Sequence, residues 1–136
     1  MIPHILIIDA DSGAAQTTRA LVARVAAHAT VTMEATAERG RISLQQHLAD
    51  MLIIDPSPLH LAATQLIQWL KTEHPAACVI VLASTSTPVL RQRMKDLGVD
   101  QYQDKHQPPR VLTQQLRAAL EQLVRSAQVE GTHASP

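Results

Sequence analysis

Two stretches of the chain end an apolar run on acid. Ile7-Ile8-Asp9-Ala10-Asp11-Ser12 carries two carboxylates one residue apart, and Met51-Leu52-Ile53-Ile54 is followed directly by Asp55. A third apolar run, Cys78-Val79-Ile80-Val81-Leu82, leads into Ala83 and Ser84, and a weaker one near Tyr102 leads to Lys105. Carboxylates crowded together repel unless a cation or a proton comes between them, so such a set suits a hard divalent ion such as magnesium held by oxygen ligands. A lysine at the same place offers a compact positive charge to a phosphoryl oxygen, or simply pairs with an aspartate. An aspartate backed by metal and lysine could accept a phosphoryl group, a transfer that demands positioning and charge neutralisation above all. Taken singly, an aspartate at a strand end is as often a turn former or a helix cap. Asp9 and Asp11 therefore admit three readings: a metal site, a nucleophile with its acid partner, or a helix cap beside a spare charge.

The elements that must position these residues alternate two periodicities. Continuous apolar runs at residues 4–8, 30–33, 51–54 and 78–82, with a weaker one at 99–103, suit strands covered on both faces. Between them lie helical faces: Thr18, Leu21, Val22 and Val25; Leu66, Ile67 and Leu70; Leu90, Met94 and Leu97; Leu112, Leu116, Leu120 and Leu123. The second helix, roughly residues 37–48, is less regular. Ser12 is placed as the first helix's N-cap and Gly98 as the residue closing the fourth. Five βα units predict a flavodoxin-like, doubly wound parallel five-stranded sheet of order 2-1-3-4-5. Its functional crevice lies outside the strands' carboxyl ends, where the order reverses, and that brings Asp9, Asp11, Asp55, Ala83, Ser84 and Lys105 to one edge.

Composition agrees with a single domain. The 136 residues carry twelve basic and twelve acidic side chains, so no field draws nucleic acid or anionic lipid. There is no Phe, one Trp and one Tyr, which leaves no aromatic platform for bases, and Trp69 reads as packing. Cys78, the lone cysteine, reads as a small buried hydrophobe. The N-terminus lacks the basic start and small-residue cleavage site of a secretory signal, and its apolar run is too short to span a bilayer, so a cytoplasmic location is expected. The seven histidines show no zinc spacing, and no glycine-rich phosphate cradle is present. The domain is expected over 1–125, with the small, polar residues 126–136 a flexible tail or linker, so that the chain is a stand-alone unit or a piece of something longer.

With these residues in register, the sequence resembles the response regulator receiver domains of two-component signalling over about residues 3–125. The resemblance implies a non-enzymatic module of a phosphorelay, phosphorylated by a histidine kinase or phosphotransfer protein and switching a protein contact. It implies Asp55 as phosphoacceptor, Lys105 as the lysine that contacts the phosphoryl group, and magnesium held by Asp9, Asp55 and the backbone carbonyl of Ser57. Ser84 and Tyr102 would be the switch pair, and Gly98 matches the glycine opening the fifth-strand segment. The chain departs from the family pattern in four places. Ala10 stands where a second acidic ligand is usual, which should weaken magnesium binding; Ala83 aligns with the usual strand-4 hydroxyl, one residue before Ser84. His106 replaces a proline, and the loop after Asp55 places Pro58 one position early. An alternative is therefore a phosphorylation-independent pseudo-receiver acting as an interaction scaffold. Asp11, expected at the helix start, would then leave Asp9 without a paired ligand. A more distant alternative is a haloacid dehalogenase-like phosphohydrolase using Asp9 and Asp11, opposed by the lack of an acidic motif soon after Lys105. Receiver relatives also pair through the fourth helix, fifth strand and fifth helix, here bearing Arg91, Arg93, Lys95, Asp96, Asp100 and Asp104. The plainer reading of that face, a solvated surface, is preferred to a charge-specified homodimer.

Overall fold

The computed structural model describes residues 2–58 and 60–133. In chain order they form β1 (His4–Ile8), α1 (Ser12–Val25), β2 (Thr30–Glu34), α2 (Ala37–Gln46), β3 (Met51–Ile54), α3 (His60–Glu73), β4 (Cys78–Ala83), α4 (Pro88–Asp96), β5 (Gln101–Asp104) and α5 (Pro109–His133). All strand pairs are parallel, in the expected order β2-β1-β3-β4-β5. Alternation of side chains along the strands divides the core in two. Leu6, Ile8, Leu52, Ile54, Val79 and Val81 pack beneath α2, α3 and α4 through Leu44, Leu66, Ile67, Leu70, Leu90 and Met94. Ile5, Ile7, Met51, Ile53, Ile80 and Leu82 face α1 and α5 through Val22, Leu116 and Leu120. Because β1 and β3 are buried on both faces, their positions are apolar save His4, whose backbone and ring meet Asp50, Leu48 and Thr32, and each fully buried Ile or Leu stabilises by about 1.5–3 kcal/mol over an exposed one. Among the described residues no helix is long and apolar enough to cross a membrane.

Boundaries shift where local chemistry outweighs periodicity. Asp11, not Ser12, caps α1: its extended backbone lets the carboxylate accept from the Ala14 N–H at 3.1 Å, while Ser12 is already helical. Thr36 and Thr87 cap α2 and α4 in the same way. Gly98 follows the C-cap of α4 with φ +82°, a left-handed conformation that glycine adopts without steric cost. α5 does not stop at residue 125 but continues to His133, and Ala127 is buried. The polar composition there suggested a tail, yet small residues such as Ala127 still pack where the helix passes the sheet.

Gly40 sets where α2 sits. A Cβ there would collide with Cδ1 of Ile8, so its absence lets the helix press onto β1. Leu44 joins the core on that side, while Thr30, Thr32 and Glu34 of β2 are left facing an open groove. Gly40→Ala is expected to cost about 1–3 kcal/mol through overpacking. In urea unfolding, Gly40→Ala with Ile8→Val, which removes that Cδ1, should lose less than the sum of the single changes.

Cys78 is half-buried rather than fully buried, and its thiol is held protonated. Burial, with the negative charge of Asp100 beside it, pushes its thiol up to about 11 against the opposing effect of Lys71. The nucleophile is the thiolate, so labelling by a thiol reagent at pH 8 should be far slower in the folded chain than in urea.

Candidate functional site

Asp9, Asp55 and Lys105 each lie one residue beyond a strand, and each is held by one more rung of the ladder. The Asp9 N–H donates to the Glu34 carbonyl at 3.1 Å, that of Asp55 to Ile8 at 2.9 Å, and that of Lys105 to Ala83 at 2.9 Å. Three side chains from three strands thus leave the sheet at the same level, beside the β1/β3 reversal. Lys105 Nζ donates to Asp9 Oδ2 at 2.6 Å and to Asp55 Oδ2 at 2.7 Å. The second oxygens are also engaged: Asp9 Oδ1 accepts from the Asp11 N–H and Asp55 Oδ1 from the Ser57 N–H, both at 2.9 Å.

The cluster is buried, with side-chain exposures of 16% for Lys105, 6% for Asp9 and 5% for Asp55. Burial pushes the Asp55 carboxyl up, but the Lys105 and Ser57 hydrogen bonds, the lysine charge and the Ser84 hydroxyl outweigh it and hold it below its ordinary 3.8. Burial likewise pulls Lys105 down, and the two carboxylates more than restore it, to above its ordinary 10.5. Asp55 and Lys105 therefore face each other as a charged pair at neutral pH. Buried ion pairs seldom improve on apolar packing, so the expense of this arrangement points to chemistry rather than to stability.

The other expected residues are placed as follows. Ser57 lies in the loop after β3, its hydroxyl buried without a partner among the described residues. The Ser84 carbonyl accepts from His106 Nε2 at 2.8 Å, a tie between the loops after β4 and β5. Tyr102 shares a hydrogen bond of 2.9 Å with Ser86 and lies 5.0 Å beneath the Arg91 guanidinium. Thus Ser86, not Ser84, is the hydroxyl that meets Tyr102. Sequence reasoning missed Ser86 and the brace made by His106, though not the His106 substitution itself, and it placed Arg91 on a charged face without its contact to Tyr102. Asp11 is turned to the helix it caps and donates only its backbone N–H to Asp9.

Whether a magnesium ion fits can be judged from the donors. Asp9, Asp55 and the Ser57 carbonyl are hard oxygens of the kind it takes, and magnesium keeps several of its waters. A cavity of about 320 Å³ lined by Ala10, Glu38, Asp55 and Ser57 leaves room for water where Ala10 offers no ligand. Among the described residues no three His, Cys, Asp or Glu side chains converge on a metal position, so any such site rests on two carboxylates, shared with Lys105.

The geometry can be set beside known proteins. No family model and no curated protein sequence matches the chain. Among solved structures it is similar to a CheY-like response regulator receiver domain protein from Methanospirillum hungatei, at TM-score 0.77 and 19% identity, covering 93% of this chain and 99% of that one. The N-terminal domain of a Wolinella succinogenes protein gives TM-score 0.79 and 20% identity over 94% and 98%. The chemotaxis response regulator CheY4 of Vibrio cholerae gives 0.72 and 14% over 90% and 99%. The chain has the fold of receiver domains.

Proposed function

We propose that the chain is a response regulator receiver domain in which Asp55 accepts a phosphoryl group and the change in charge switches a contact with another protein. The observation that carries this reading is the Asp9–Lys105–Asp55 cluster at the sheet's switch point, buried and charged. In the transfer, a carboxylate oxygen of Asp55 forms a bond to phosphorus as the bond from phosphorus to the donor breaks. The electron pair leaves with the donor, the imidazole of a kinase or phosphotransfer protein or the carboxylate of a small acyl phosphate. Lys105 balances the charge added to Asp55. Asp9, Asp55 and the Ser57 carbonyl would hold magnesium, more weakly for want of a side-chain ligand at Ala10. When bound, the ion would neutralise phosphoryl oxygens. Ser84 and Tyr102 lie where they could sense the new group, Tyr102 through Ser86.

One observation favours the second reading, an interaction scaffold that needs no phosphorylation: all four oxygens of Asp9 and Asp55 already have donors from the chain itself. The test between them is incubation with a small acyl phosphate, with and without magnesium, followed by intact mass. Gain of one phosphoryl mass supports the acceptor; an unchanged mass, with a cognate kinase also present, supports the scaffold. The charged face of α4, β5 and α5 fits solvent better than a partner copy. Arg91 lies over Tyr102, Asp96 accepts from Gln92, Asp100 pairs with Lys71, and Asp104 accepts from the His106 N–H.

A further inference from the structure

β2 ends the sheet on one side and pairs with β1 alone, through an unbroken register from Thr30 to Glu34. The Thr30 N–H donates to the Pro3 carbonyl and the Glu34 carbonyl accepts from the Asp9 N–H, so the backbone groups of residues 30, 32 and 34 point inward. By alternation, the N–H and C=O of Val31 and Met33 point outward, where no strand of the sheet meets them. Such edges are normally blunted by proline, lysine, a bulge or a covering element. Thr-Val-Thr-Met-Glu has neither proline nor lysine, its register has no bulge, and its first three residues are β-branched. Its α2-side face is open as well. Thr30, Thr32 and Glu34 border a groove of about 530 Å³ with Arg39, Ile42 and His47, and Ile42 is 56% exposed.

We propose that this edge pairs with β2 of a second copy, antiparallel about a two-fold axis through Thr32, to join two sheets into one. The strand is complementary to itself in this register. Val31 lies opposite the partner's Met33, and these are the residues whose backbone groups face outward, so each pair exchanges both its hydrogen bonds. Thr32 meets its own copy on the axis as a pair without backbone bonds. The Thr30 hydroxyl lies opposite the Glu34 carboxylate of the partner subunit, so no like charges are opposed. The chain's formal net charge of zero adds no long-range repulsion. An added strand from a different protein would satisfy the same backbone groups, but it would not require residues 30 and 34 to complement each other.

That difference makes the test. Sedimentation equilibrium of the full chain from micromolar to millimolar concentration should show a monomer–dimer equilibrium. Thr30 is exposed and its side chain holds no hydrogen bond among the described residues, so Thr30→Glu should keep the fold, checked by circular dichroism. It opposes two carboxylates at each end of the pairing and should weaken the dimer about tenfold. Thr30→Glu with Glu34→Lys should restore it, and Thr30→Lys alone should tighten it. A monomer at every concentration, a dimer insensitive to Thr30→Glu, or a charge exchange that fails to rescue would each overturn the pairing. Loss of the dimer in Arg91→Glu instead would assign it to the α4–β5–α5 face.

Discussion

Asp55→Asn is expected to take up no phosphoryl group under conditions in which the unaltered chain is expected to gain one. The substitution keeps the shape of the side chain and its carbonyl oxygen, so the Ser57 N–H retains an acceptor; what it removes is the anionic nucleophile. Because hydrogen bonds and the charge of Lys105 overcome burial to hold the Asp55 carboxyl below its ordinary range, Asp55 is ionised throughout the neutral region, and uptake should be flat with pH there. Asp9→Asn should slow uptake without abolishing it, since Asp9 shares Lys105 but is not the group attacked. Asp11→Asn should leave uptake unchanged, because asparagine caps a helix as well as aspartate does. Intact mass spectrometry reads all three. Uptake surviving in Asp55→Asn and vanishing in Asp9→Asn would instead make Asp9 the nucleophile, as the phosphohydrolase reading of the Asp9-Ala10-Asp11 stretch requires.

Lys105→Met lowers stability by about 3–5 kcal/mol at neutral pH, the usual consequence of taking one partner from a buried ion pair. Methionine fills the space of the stem but leaves Asp9 and Asp55 opposed with no cation between them. In the unaltered chain the folded Asp55 has a lowered pKa, so its contribution is present above the ordinary 3.8 and is lost as pH falls through the folded value beneath it. Lys105 has a raised one, so its contribution is full below 10.5 and is lost as pH rises through the folded value above that. Urea midpoints should accordingly show a broad plateau between these limits. In Lys105→Met the deficit should shrink as the pH falls, because a proton on one carboxylate then does what the ammonium did. A deficit that persists unchanged into acid would mean that the lysine stem, not its charge, holds the loops together.

Much of this was legible in the residues. A strand buried on both faces is apolar along nearly its whole length, so β1, β3 and β4 declare themselves, and the order of βα units fixes which strand ends meet. Asp9, Asp55 and Lys105 followed because a strand end is a place the topology specifies. Loop conformations are set by contacts between distant segments, and there the reading lost resolution. Nothing in Ser84-Thr85-Ser86 says which hydroxyl reaches Tyr102, and Asp11 and Ser12 are equally good caps until the backbone decides between them. Gly40 lies in the helix whose pattern was least regular, and its approach to Ile8 explains why no side chain stands there. The C-terminal part of α5 was hidden by polar composition, which does not reveal that Ala127 still has a surface to cover.

The positions that meet at Lys105 are far apart along the chain, 96 residues from Asp9 and 50 from Asp55. Contacts of that span form late, since the intervening segment must be ordered before they are rewarded. During synthesis the acidic pair emerges long before its counter-ion, and β5 is the last strand to leave the ribosome. A truncated or half-made chain therefore holds Asp9 and Asp55 without the cation between them, and on the proposed function it would gain competence to signal only when the last strand closes the edge.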